Sequence, residues 1–271
     1  MQQEKNLSSS STNYSLAVKL GGSVLQNEEA YRQRAEEINA VREKYNPAKM
    51  LVIVSAMKGR TDEAINNLEI DDAADLRHAL KGERSLPEFD NPGISARLIR
   101  PEIDSAYLLG KYLPGAQVLD QYNPDFPVIA NSSYLAGIVD TQKTLARKNC
   151  FDKHLTIVSG YGGIDYDHNP VLLGRNASDL VAAWAARLSG ANKLIYLKDV
   201  PGIYSDYGTK EQQIIRKMSL DDLSEADKVL DSRVIGALSG ESLEVVVGHY
   251  DDFTELANPE NSELGTTINL N

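Results

Sequence analysis

The sequence predicts an α/β fold built on a mainly parallel sheet, and three observations carry that prediction. Continuous runs rich in Val, Ile and Leu occur at 15–20, 50–57, 154–159 and 193–200. Runs of that kind read as strands covered on both faces, since a strand with one wet face would alternate apolar and polar residues. Stretches with apolar residues at helical spacing separate them, and several of the runs stop at glycines or at a charged residue, giving the β–turn–α–β order of a parallel sheet.

The elements follow in order along the chain. Residues 15–20, SLAVKL, form a buried strand that runs into Gly21-Gly22. Asn27 is a good N-cap, with Glu28 and Glu29 in the first helical turn, and Tyr31, Ala35, Ile38, Val41 and Tyr45 fall on one helix face. MLVIVSAM, 50–57, is the second strand. Residues 70–100 are polar, carry Pro87 and Pro92, and read as a surface excursion with some helix. A helix is expected from Glu102 to about Tyr112, with short strands near 116–119 and 127–130. HLTIVSGYGG, 154–163, is another buried strand ending in glycines, and Tyr166–Leu173 suits a hairpin. Ala177–Leu188, with Trp184, is apolar almost all round and must be a deeply packed helix. KLIYLKDV, 193–200, is a strand and PGIYS a turn. Helices are expected over 220–230 and 231–239, and strands over 243–248 and 265–270. The first thirteen residues are polar and serine-rich and are expected to be a disordered tail. No repeat or linker divides the rest, so 14–271 reads as one domain, with halves at about 14–155 and 156–271.

Composition narrows the chemistry. The chain has 28 basic and 39 acidic residues, a net charge of −11, which opposes non-specific binding to nucleic acid or anionic membrane. A phosphate site must therefore be built locally. Cys150 is the only cysteine and there are four histidines, none in an H-E-x-x-H pattern. Those counts leave no internal disulfide and disfavour a zinc enzyme; a reducing, cytoplasmic setting is expected. No apolar run reaches the roughly 18 residues of a spanning helix.

Ligands of open α/β sheets gather at the carboxyl ends of the strands. Four such ends carry unusual residues here: Lys19 to Ser23, Ser55 to Gly59, Gly160 to Gly163, and Lys198-Asp199. Glycines followed by a helix expose N–H groups that can hold phosphate, although Gly21-Gly22 could equally be a tight strand-to-helix turn. Lys19 ends an otherwise apolar strand and needs either an anionic partner or a route to water. Asp179 could close a capping box with Asn176 as N-cap. Lys198-Asp199 could be an exposed pair beside a turn. The chain has no Walker loop and no complete dinucleotide fingerprint, which disfavours the two common nucleotide folds, an NAD-dependent oxidoreductase among them.

Taken together, these motifs resemble the catalytic domain of aspartokinases, within the amino-acid kinase superfamily. VKLGGSV (18–24) is similar to K-F-G-G-T-S-V, and VSAMKGRTD (54–62) to V-S-A-x-x-G-x-T-N. The segment 158–183 resembles a strand, hairpin and G-R-G-G-S-D helix. LKDVPGIYSD (197–206) resembles the family's nucleotide loop, DKVLDS (227–232) its A-K-V-L-H-P, and LGTTI (264–268) its closing G-T strand. The resemblance runs from about residue 15 to the end.

It implies a three-layer α/β/α sandwich around a mainly parallel sheet of about eight strands. ATP would lie over the C-terminal half and an amino acid over the N-terminal half. Lys19 and Lys228 would contact the transferring and leaving phosphates, with Asp179 holding both lysines. Gly21, Gly22 and Ser23 would bind phosphate. Arg175 would grip the acceptor's α-carboxylate and Glu102 its α-amino group, with Ser55, Thr61 and Ser178 lining the same pocket. Lys198, Asp199, Tyr204 and Asp206 would surround the nucleotide. ATP and Mg²⁺ are the implied cofactors, no protein metal ligand is assigned, and a homodimer is expected.

Phosphoryl transfer needs positioned positive charge, and an aspartate carboxylate is already ionised at neutral pH, so no general base is required. The expected reaction is ATP plus L-aspartate giving 4-phospho-L-aspartate and ADP, in amino-acid biosynthesis. The alternatives are the same fold acting on another small acid in specialised biosynthesis, and a nucleotide-binding regulator without catalysis. Asn176 and Ala177 stand where the family has glycines, and Pro101 precedes Glu102 in place of His-Gly. The sequence given stops where the family usually continues into regulatory ACT domains, so a stand-alone catalytic domain is expected.

Overall fold

A computed structural model describes residues 14–68, 73–80, 90–131, 133–148, 150–206, 208–224, 229–260 and 263–270. The chain runs β1 (Ser15–Leu20), α1 (Glu28–Tyr45), β2 (Lys49–Val54), α2 (Arg60–Asn66), α3 (Ala73–Leu80), α4 (Pro92–Tyr112), β3 (Gln117–Leu119), α5 (Thr141–Leu145), β4 (Leu155–Ser159), β5 (Gly162–Ile164), β6 (Pro170–Leu172) and α6 (Ala177–Ser189). It continues through β7 (Lys193–Lys198), β8 (Tyr204–Ser205), β9 (Gln213–Ile214), β10 (Lys217–Ser219), α7 (Val234–Leu238), β11 (Glu244–His249), α8 (Phe253–Leu256) and β12 (Thr266–Asn269). Eight strands form one sheet in the order β10-β12-β11-β7-β1-β2-β4-β3. Within this sheet, among the described residues, only the β11–β12 pair is antiparallel, so the expected mainly parallel, eight-stranded sandwich is what the chain forms.

Strand alternation sorts the two faces. Leu16, Val18 and Leu20 of β1 pack with Tyr31, Ala35, Ile38 and Val41 of α1 and with Phe253 and Leu256 of α8. Ala17 joins the opposite core, which contains α6 and α7. Period two therefore puts Lys19 on the α6 side. The same count on β7 puts Leu194 and Tyr196 on the α6 side, and Lys198 after them. β1 and β7 are parallel neighbours with Lys19 level with Tyr196. Two lysines separated by 179 positions thus end up on one face of adjacent central strands.

β7 also carries a lysine at its other end. Lys193 is only 2% exposed, yet its ammonium donates to the carbonyls of Leu256 and Asn258 and pairs with Glu244 at 3.0 Å. Each of its charges and donors is met by an acceptor of the fold, as burial of an ammonium requires.

Several elements differ from expectation. The helix expected from Glu102 starts ten residues earlier, at Pro92: Asn91 accepts from the Ile94 N–H at 3.0 Å, and proline suits the first turn. Pro101, a helix breaker by rule, lies inside α4. The strand expected near 127–130 makes only isolated bridges, Ile129 to Ile164 and Ala130 to Val139. The run 154–163 splits into β4 and β5, so the hairpin pairs β5 with β6 and Tyr166 lies in its turn. Of the helices expected over 220–239, only a 3₁₀ turn at Asp221–Ser224 and the short α7 form among the described residues. No helix of the described residues is long and apolar enough to cross a membrane.

Candidate active site

The turn after β1 brings backbone close to backbone. The N–H groups of Val24 and Leu25 both donate to the Gly21 carbonyl. A Cβ on Gly22 would stand 3.0 Å from the Ala56 carbonyl, tighter than ordinary packing. Glycine here lets the loops that leave β1 and β2 touch, and that contact forms one lip of a cleft.

Behind this lip lies a buried charge cluster. Asp179, in the first turn of α6, places Oδ1 2.7 Å from the Lys19 ammonium and Oδ2 3.0 Å from that of Lys198. Burial alone would push the Asp179 carboxyl up; the two ammoniums outweigh it and hold the group below the usual carboxylate range. Lys198 is pushed down from its ordinary value, first by burial and then by repulsion from Lys19. Two ammoniums share one buried carboxylate, so positive charge exceeds negative by one unit within the cluster, with the exposed Asp199 acting on Lys198 from outside it. The Tyr196 hydroxyl donates to the Asp179 backbone carbonyl at 3.0 Å, pinning the start of α6 to β7. Lys198, grouped with the nucleotide loop at the sequence level, is therefore the second lysine that Asp179 holds. Lys228, expected in that role, lies outside the described residues.

The capping-box reading of Asp179 does not hold. Asn176 sits in the left-handed region at φ 61 and makes no side-chain cap hydrogen bond. That backbone suits glycine, and asparagine is among the few other residues that tolerate it. The Asp179 carboxylate is spent on the lysines instead.

In front of the cluster opens a cleft of about 330 Å³ lined by Gly22, Ser23, Ser55, Thr61, Glu102, Arg175 and Ser178. All five residues expected to bind the acceptor thus meet in one place, beside two of the expected phosphate binders. Ser55 and Ser178 share a hydrogen bond, Oγ to Oγ, at 2.8 Å. Glu102 is 4% exposed, and among the described residues its Oε2 has no hydrogen-bond partner. Burial pushes its carboxyl up to about 8, against the pull of the Ala56 N–H and Lys19. Arg175 is exposed at the rim, and its backbone N–H donates to the Leu80 carbonyl at 2.9 Å. Its loop is held from behind by Arg233, which pairs with Asp231 and donates to the carbonyls of Leu173 and Arg175. Asp231 and Arg233 were not expected as site residues: Asp231 falls in the segment 227–232 that is similar to A-K-V-L-H-P without being singled out, and Arg233 lies just beyond it.

The remaining nucleotide candidates follow Lys198 along one loop. Asp199 and Asp206 are exposed, and Asp206 takes a left-handed φ of 50. Tyr204 pairs with Ile214 in the β8–β9 ribbon. Ile203 between them donates its N–H to the Thr266 hydroxyl at 2.8 Å, which ties the loop to β12. Asp199, Tyr204 and Asp206 line no wall of the acceptor cleft.

This arrangement is a buried lysine pair sharing one carboxylate at the carboxyl ends of central parallel strands, with a cleft lined by Glu102 and Arg175 beside it. The chain belongs to the amino acid kinase family, whose model matches residues 16–246. Within that family it is similar to aspartokinases. The aspartokinase of Rickettsia prowazekii (strain Madrid E) is 27% identical over 190 residues, 69% of this chain and 40% of that protein. An acetylglutamate kinase of Acidothermus cellulolyticus (strain ATCC 43068 / DSM 8971 / 11B) is 28% identical over 122 residues, 45% of this chain and 38% of that one. The structure of E. coli aspartokinase III in complex with aspartate and ADP has the same fold, with a TM-score of 0.70 at 19% identity over 93% of this chain and 64% of that one. The chain spans less than half the length of the curated relatives it matches.

Proposed function

We propose that the protein transfers the γ-phosphoryl group of ATP to the side-chain carboxylate of a small amino acid, with L-aspartate as the acceptor. The observation that carries this reading is a buried lysine pair next to a cleft whose lining includes Gly22, Ser23 and Ser178. Lys19 and Lys198 share a single carboxylate and so favour an added phosphate oxygen. Next to them, Glu102 and Arg175 line one cleft and complement an ammonium and a carboxylate. A free α-amino acid carries both groups; an N-acetylated one offers Glu102 an amide.

The acceptor carboxylate attacks phosphorus as an anion, so the protein's work is to align it and to offset charge. Lys19, held by Asp179, faces the transferring phosphoryl group. Gly21, Gly22 and Ser23 supply N–H and hydroxyl donors to it. Among the described residues no three His, Cys, Asp or Glu side chains converge as a metal cage. A Mg²⁺ would be brought to the site by the nucleotide. Bound there, it would neutralise phosphate charge.

Incubation with ATP, Mg²⁺ and L-aspartate is expected to yield an acyl phosphate that hydroxylamine traps as a hydroxamate. L-Glutamate, one methylene longer, should react more slowly by roughly 10–200-fold, and N-acetyl-aspartate should fail. ADP release driven by another acid, with no aspartyl hydroxamate, would move the assignment to that acid. Arg175→Lys should raise the KM for aspartate far more than that for ATP, because a point charge cannot replace the bidentate guanidinium fork. Equal changes in the two constants would take Arg175 out of acceptor binding.

A further inference from the structure

Between β4 and β5 the chain passes through Gly160, Tyr161 and Gly162. The Gly162 N–H donates to the Gly160 carbonyl at 2.9 Å, and Tyr161 between them has φ 68. This is a γ-turn of the rare positive-φ form, a strained conformation for a residue with a side chain. Its neighbours leave it no room to relax. A Cβ on Gly160 would come within 2.8 Å of the Val54 carbonyl, and one on Gly162 within 2.6 Å of the Val171 carbonyl. Strain of this kind persists only where the surroundings over-determine it.

One side chain supplies much of that constraint. Gln121 follows the end of β3 and is fully buried. Its amide nitrogen lies 3.3, 3.0 and 3.3 Å from the carbonyls of Ser159, Gly160 and Gly162, spanning the turn from both sides. Its amide oxygen accepts from the Ser159 hydroxyl at 2.6 Å. The turn presents Tyr161 as a wall of the acceptor cleft. The ring is 7% exposed, and among the described residues its hydroxyl makes no hydrogen bond. The charges that act on that hydroxyl are those of Glu102, Arg175 and Asp62, three residues of the same cleft.

We infer that Gln121 is a positioning residue that holds the strained turn, and that Tyr161 is a specificity residue whose hydroxyl donates to a carboxylate of the bound acceptor. The inference rests on the acceptor-site reading above and extends it. Burial of the ring sets the length of acceptor that fits, and the unused phenol donor selects for an anionic oxygen within its reach. A phenol without a hydrogen-bond partner among the described residues gains one when such an acceptor binds.

Steady-state kinetics with ATP and either L-aspartate or L-glutamate separate the possibilities. Gln121→Met keeps the side-chain volume and removes the polar brace. It is expected to raise the KM for aspartate about tenfold or more, with the KM for ATP nearly unchanged. Tyr161→Phe keeps the ring and should raise the aspartate KM by about three- to tenfold. It also serves as the test if the Gln121 variant does not fold. Tyr161→Gly relieves the backbone but removes a buried ring and widens the cleft, so it should melt at a lower temperature than wild type and discriminate aspartate from glutamate less well. Tyr161→Phe with wild-type constants for both acceptors overturns the role of the hydroxyl. Parallel changes in both KM values for Gln121→Met overturn its positioning role. A wild-type protein that phosphorylates neither acid overturns instead the reading on which the inference stands.

Discussion

Lys19→Met is expected to lower kcat by about 10²–10³-fold, the usual loss on removing one preorganised contact to charge that develops in the transition state. The side chain is buried against Asp179, a carboxylate it shares with Lys198. Its removal lets Asp179 and Lys198 neutralise each other, so the cleft loses its surplus positive charge as well as a donor. Stability should fall too, by up to about 3 kcal/mol, since a buried carboxylate loses one of two partners. Melting and circular dichroism distinguish the two effects: a folded variant with a near wild-type rate would remove Lys19 from the mechanism.

Glu102→Gln is expected to do the reverse, making the protein more stable and the site poorer. The folded-state value for Glu102 is about 8, against an ordinary 4.5. Below the ordinary value the carboxyl is protonated in both states and costs nothing. As pH rises from there towards 8, the unfolded chain ionises while the folded one retains its proton, so stability is lost across that window and levels off above it. At neutral pH the loss is on the order of 3 kcal/mol. Glutamine cannot ionise, so urea unfolding should show the variant and wild type alike at pH 4 and increasingly different up to pH 8. An ammonium arriving in the cleft favours the ionised form of Glu102. The wild-type KM for aspartate should therefore fall as pH rises towards 8, while the variant should show a raised KM with no such slope. A variant no more stable than wild type at pH 8 would mean that the fold does not hold Glu102 neutral.

The opening of the fold was legible because its signals are local. The apolar runs at 15–20 and 50–57 and the cap at Asn27 each state their structure within a few residues, and a lysine closing an apolar strand marks itself. Partnership was less legible. Asp179 meets Lys198 because β7 lies parallel to β1 in one particular register, and no short segment encodes a pairing across the sheet. Pro101 hid the first half of α4, since a proline argues locally for a helix end and only the packing around it says otherwise. Gln121 lies outside every motif: its role depends on three carbonyls some forty residues away, and a glutamine at the end of a short edge strand carries no signal of that. Tyr161 was visible only as the odd residue in a glycine-rich stretch.

β7 begins and ends with a lysine, and the two are chemically the same group in different company. Lys193 is saturated, with two carbonyls and a carboxylate around its nitrogen, whereas Lys198 splits one carboxylate with Lys19. A single strand thus carries a closed terminal and an open one. Small multivalent anions such as sulfate or pyrophosphate should recognise the difference, gathering at the carboxyl edge of the sheet and ignoring its amino edge. In solution that makes the protein responsive to the anion of its buffer: its melting temperature should climb with pyrophosphate or sulfate more than with chloride at equal ionic strength, and the increment should shrink to the general salting-out part when Lys198, but not Lys193, is made neutral.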